Sequence, residues 1–206
     1  MNRYLSMALS LLVMTTGLRV AAAETVANPR LVLGYPGAAI PLVFTDEAGV
    51  VKSQLPESYG EQRDRMITAV FPSSATWREA QCTVTPQKSG RLRIKLNATK
   101  VTVNGKRAAA TCLFDDLKVN DQPLPNGSFE DGAAHFTFDP GRDGLPPGQV
   151  LIDSELAYAG NACLTVWDKG GAFFFYEVEA KVPVTISFLY CDGGILNPET
   201  TGQAHE

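Results

Sequence analysis

The stretch RLRIKLNA, Arg91 to Ala98, sets Leu92, Ile94 and Leu96 against Arg91, Arg93 and Lys95 in strict alternation. Side chains on a β-strand leave opposite faces with period two, so the segment predicts a half-buried antiparallel strand with one face in a core. YEVEAKV repeats the pattern, with Tyr176, Val178, Ala180 and Val182 opposing Glu177, Glu179 and Lys181. Just upstream, Phe174 shares the face of Tyr176 and Val178, which leaves Phe173 and Phe175 on the other. Further strands are predicted at Leu31 to Leu33, Pro41 to Thr45, Met66 to Phe71, Ala80 to Thr85, Lys100 to Val103, Cys112 to Val119, Cys163 to Trp167 and Val184 to Tyr190. Turn signals such as Ser89-Gly90, Asn104-Gly105 and Gly170-Gly171 separate them. Many short strands at this spacing predict an all-β, antiparallel β-sandwich or jelly roll. The least regular segments are Gln54 to Arg65 and Asp139 to Gly148, and the second is a loop by its prolines and glycines.

The first 23 residues carry a basic start at Arg3, an apolar run from Leu5 to Met14, and small residues at Ala21 and Ala23. That pattern predicts a signal peptide over residues 1–23 and a secreted chain, extracellular or periplasmic. The run is too short for a membrane span, which needs roughly 20 apolar residues. Its removal takes two of the 18 basic residues and none of the 22 acidic ones, leaving 183 residues with a net charge near −6. A mildly acidic chain without a basic cluster lacks the electrostatic footprint for nucleic acid or for an anionic membrane.

Cys82, Cys112, Cys163 and Cys191 all lie in the exported part. An even count in an oxidising compartment predicts two disulfides, and the spacings contain no zinc pattern. Three pairings are open. Cys82 with Cys112 and Cys163 with Cys191 is preferred because each pair lies within one half of the chain; the alternative is four buried free thiols.

Residues Asn126 to Glu130, NGSFE, are followed by SELAYAGNACLTV (Ser154 to Val166) and FFFYEVEAKVPVTISFLY (Phe173 to Tyr190). In order and spacing these resemble the first half of a galactose-binding-like jelly roll of the secreted carbohydrate-binding-module type. IPLVFTDEAGVV (Ile40 to Val51), ATWREAQCTVTPQKSGRLRIKLNA (Ala75 to Ala98) and CLFDDLKV (Cys112 to Val119) resemble the rest of that fold, yet come first in the chain. The rotated order implies a circular permutation, with the usual ends joined through Asn120 to Pro125. One sandwich over residues 24–206 buries both sheet faces as a single core, whereas two small domains, 24–120 and 121–206, would each leave a face uncovered. The first arrangement is therefore expected.

In LFDDLKV the inward parity is set by Leu113, Leu117 and Val119, and Asp115 shares it, so its carboxylate needs a partner. The resemblance implies a structural Ca²⁺ held by Asp115 and Glu130, with Asp116 as a substitute and carbonyls near Gly160 or Ser128 completing the shell. The alternative is that the two acids cap backbone amides. For ligand, Trp167, Phe173 and Phe175 with their charged neighbours Asp168 and Lys169 are the expected surface, because pyranose C–H faces stack on aromatic rings. Trp77, Tyr158, Phe174, Tyr176 and Tyr190 are further aromatic candidates, more readily explained as core. Catalysis is not expected: only His135 and His205 are present, no GxSxG or HExxH occurs, and adjacent acids such as Asp115/Asp116 point to opposite faces. Asn97-Ala98-Thr99 and Asn126-Gly127-Ser128 match the N-glycosylation pattern. The expected function is a secreted, non-catalytic carbohydrate-binding protein; the alternative is a structural or protein-interaction module of an extracellular or envelope assembly.

Overall fold

The computed structural model describes residues 26–34, 51–53, 66–86, 89–103, 106–141 and 147–195. The expected signal peptide, the strand at Pro41 to Thr45, the segment Gln54 to Arg65 and His205 lie outside these. The described chain is all-β and forms two antiparallel sheets packed face to face as a sandwich.

Sheet A runs, in spatial order, β10 (Thr137–Phe138), β13 (Ala172–Val178), β5 (Gly90–Ala98), β1 (Pro29–Gly34), β3 (Met66–Val70) and β2 (Val51–Ser53). Sheet B runs β11 (Gln149–Ile152), β12 (Ala162–Val166), β8 (Ala110–Val119), β14 (Val184–Ile195) and β4 (Arg78–Val84), with the short β9 (Gln122–Pro123) paired to the end of β8. A separate hairpin joins β6 (Val101–Val103) to β7 (Lys106–Ala108). Strands from before and after Asn120 share both sheets, and β8 lies between β12 and β14.

The alternation that predicts β5 sets its packing. Leu92, Ile94 and Leu96 are wholly buried, while Arg91, Arg93 and Lys95 form the outer row. From the facing sheet, Phe188 and Tyr190 meet Phe71 at the end of β3, with Phe71 and Phe188 edge to face at 5.3 Å, and Phe114 packs against Phe188. Tyr176 and Val178 keep their predicted face, but β13 ends at Val178. Lys181 takes a positive φ of 63° and donates its amide to the Pro86 carbonyl, so Glu179 to Val182 turns instead of extending.

The middle of the chain corrects one expectation and adds one finding. Between Asp115 and Lys118, β8 has one residue more than its partner β14, because Leu189 pairs with Asp115 and Ser187 with Lys118. Asp116, at φ 49°, is at this bulge, and the parity of the strand switches across it. Cys112 and Phe114 face the core before the bulge, Leu117 and Val119 after it. Leu113 and Asp115 therefore face outward from the sandwich, not inward. NGSFE, in turn, begins no strand but is a run of turns. Asn126 closes it by donating Nδ2 to the carbonyls of Gly132 and Ala134 and accepting the Asp131 amide, and Phe129 plugs the core from it. β8 passes into β9 through a two-residue hairpin, with Asn120 and Asp121 both at positive φ, as a turn matching strand twist requires.

The two expected disulfides are not formed; all four cysteines are buried thiols. β14 stands between the strands of Cys82 and Cys112, and β8 between those of Cys163 and Cys191. Two strand spacings are about 10 Å, beyond the roughly 4.4–6.8 Å between Cα atoms that a disulfide spans. Burial pushes the Cys163 thiol to about 12 and the Cys191 thiol to about 11, and raises Cys112 as well. Thiols held so far from the thiolate are inert. Iodoacetamide at neutral pH should leave the native protein unmodified and add four labels in denaturant, read by intact mass; a mass showing two disulfides would overturn this.

Candidate binding site

Asn120 to Phe136 forms the seam between β8 and β10; Asp115, just before it, and Glu130, within it, come first. Asp115 is 1% exposed, and its Oδ2 accepts the backbone amides of Tyr158 (3.1 Å) and Ala159 (3.3 Å) while Oδ1 accepts that of Asp116 at 2.7 Å. Glu130 Oε1 accepts the amides of Asn161 and Ala162, at 2.9 and 3.0 Å, beside Gly160. Both carboxylates thus clamp one loop, Asp153 to Asn161, which crosses the outer face of sheet B as a strap. Asp116 turns away to pair with Lys118 at 2.5 Å. The donor set does not fit the expected calcium: N–H groups, not carbonyl oxygens, point at the carboxylates, and among the described residues no three acidic, His or Cys side chains converge as ligands. The amide-capping alternative is the arrangement present.

Burial outweighs the three amides and raises the Asp115 carboxyl above its ordinary value. In the window just above that value the native state still holds a proton that the unfolded chain has released, so the stability this group contributes declines as pH rises through it. Asp115→Asn should flatten that part of the stability curve from about pH 4 upward, measured by urea unfolding. An unchanged slope would show that another group carries it.

Of the expected ligand surface, the structure keeps part and removes part. Trp167 is fully buried, its indole packed against Gly170 in the tight Trp167 to Gly170 turn, so it offers no stacking face. Asp168 is drawn inward to Arg30 at 3.5 Å, its carbonyl accepting from buried Asn97, and Lys169 is half-buried on the same turn. Phe173 and Phe175 do point out of sheet A, as the alternation predicts, and meet edge to face at 5.9 Å. β5 holds them: the Arg93 guanidinium lies 4.1 Å from the Phe173 ring centre, and that of Arg91 lies 4.4 Å from Phe175. Behind them Asp139 pairs with Lys95 and, at 3.7 Å, with Arg93; burial lowers the Lys95 pKa against the pull of Asp139.

Phe175, 41% exposed, borders a cleft of about 470 Å³. β10 pairs with β13 only as far as Phe173, and upstream of it the seam turn moves away, leaving the edge from Phe174 to Glu177 open. Leu124, Pro125, His135 and Phe136 form the other wall. The cleft combines a fixed aromatic ring with a carboxylate (Glu177), an imidazole (His135) and a phenol (Tyr176), groups that suit C–H stacking beside hydroxyl hydrogen bonding. Tyr176 and Glu177 adjoin Phe175 in sequence, but His135 and the Leu124 wall come from the seam, and no local signal links them to β13.

Both glycosylation patterns are used by the fold. Asn97 is 1% exposed, and the Asn126 amide is taken up inside its turn. No helix among the described residues is long and apolar enough to cross a membrane. No protein-family model, curated protein or solved structure matches the chain.

Proposed function

We propose that the chain is a secreted, non-catalytic carbohydrate-binding protein, a permuted jelly roll that takes saccharide in the cleft beside Phe175. One observation carries this reading. An aromatic ring, pinned by Phe173 and Arg91, stands open to solvent at a cleft that also presents Glu177, His135 and Tyr176. A ring fixed before binding loses little freedom when a sugar stacks on it. The resemblance of the rotated motifs to secreted carbohydrate-binding modules supports the same class.

Affinity electrophoresis through gels containing hydroxyethyl cellulose, arabinoxylan, galactomannan or polygalacturonate tests it. Retardation by at least one polymer is expected, and Phe175→Ala should weaken it about tenfold or more while the melting temperature holds. Free migration through every polymer would sink the assignment.

A further inference from the structure

The strap over sheet B ends in a second aromatic corner. Tyr158, 54% exposed, meets Trp77 edge to face, ring centres 6.0 Å apart at 67°. Trp77 is half-buried and rests on the outer cluster of Leu113, Cys163 and Cys191, so the base of the corner is rigid. The strap is turned on itself at its start and tied down at its end. Asp153 accepts the amides of Glu155, Leu156 and Ala157 at the start, and Glu130 those of Asn161 and Ala162 at the end. Between them Asp115 holds the Tyr158 and Ala159 amides. A buried carboxylate is costly, and two of its three bonds hold the strap backbone. Beside the corner lie polar groups: Asp116 and Lys118, an ion pair on the outward face of β8, and Glu79, exposed on β4 two residues after Trp77 and so on the same side of the sheet.

We propose that Tyr158 and Trp77, with Glu79, Asp116 and Lys118, form a second saccharide subsite on the face opposite Phe175. The inference rests on the carbohydrate reading above. The ring of Tyr158 takes the C–H face of a pyranose, and the neighbouring carboxylates and ammonium take its hydroxyls. Because the two sites lie on the outer faces of different sheets, one molecule holds two polymer chains instead of lying along one. Such a protein cross-bridges polysaccharide, and its apparent affinity for a polymer exceeds that of either site alone.

The test uses the full chain in the same four gels, with the viscosity of each polymer solution as a second readout. Tyr158→Ala should weaken retardation about tenfold, and Tyr158→Phe, which keeps the ring, should restore most of it. Phe175→Ala and Tyr158→Ala should each abolish the rise in viscosity while leaving residual binding, and the double variant should lose both. As an exposed position, Tyr158→Ala should leave the melting temperature within about 2 °C. If Tyr158→Ala binds and cross-bridges like the wild type while Phe175→Ala does not, the second subsite is wrong and the cleft stands. If no polymer retards the wild type, both fall.

Discussion

Phe188→Ala should cost about 3–5 kcal/mol of unfolding free energy and lower the melting temperature by roughly 10 °C or more. Phe188 is 1% exposed and touches three other rings: Phe71 at 5.3 Å, Phe114 at 5.4 Å and Tyr190 at 6.3 Å between ring centres. Phe71 belongs to sheet A and the others to sheet B, so truncation opens a cavity where the sheets meet, and the packed rings around it collapse only in part. The same measurement reports on cooperativity. Phe71 and Phe114 precede the seam and Phe188 follows it, so the whole transition should shift as one. A fall below about 1 kcal/mol, or a second transition left in place, would contradict the shared core. Phe188→Leu, closer in volume, should lose less than about 1.5 kcal/mol.

Gly127→Ala should be nearly as damaging, at about 3 kcal/mol or more. A methyl group there would overlap the Leu117 carbonyl oxygen and crowd that of Leu124, and both are backbone atoms. Nothing can swing aside. Gly127 also accepts the Leu117 amide at 2.9 Å and donates to the Leu124 carbonyl at 2.9 Å, so retreat breaks the bonds that dock the seam on β8. Gly132→Ala is the control five residues on. It has φ 63° but no atom within 4 Å of an added methyl, so only left-handed strain applies, about 1–2 kcal/mol. Equal losses in the two variants, by urea unfolding, would show that crowding at Gly127 is not the cause.

How far the fold could be read ahead depended on whether local alternation survived into the strand. It did in β5, where Leu92, Ile94 and Leu96 run without interruption, and on β13, where Phe173 and Phe175 face outward as their spacing predicts. It failed in LFDDLKV because a single extra residue reverses the parity, and the only hint was an Asp pair, a residue type tolerant of positive φ. Trp167 was misplaced for a different reason. Its ring is buried by a turn that folds back through Gly170, and strand periodicity says nothing about that. Cysteine spacing misled because nearness in sequence does not exclude an intervening strand, and β8 and β14 are such strands. The cleft was half legible: Phe175 is on one element, while His135 and Leu124 arrive from the seam by tertiary packing alone.

The placement of β8 also bears on when this protein can fold. Its neighbours on the two sides, β12 and β14, are the twelfth and last strands of the described chain, so sheet B cannot close until nearly all of it has been synthesised. Pairings so distant in sequence carry a large loop-closure entropy and form slowly. A polypeptide with this topology keeps β8 unpaired on both sides through most of its synthesis, and sheet B closes around it only when the last described strand has emerged.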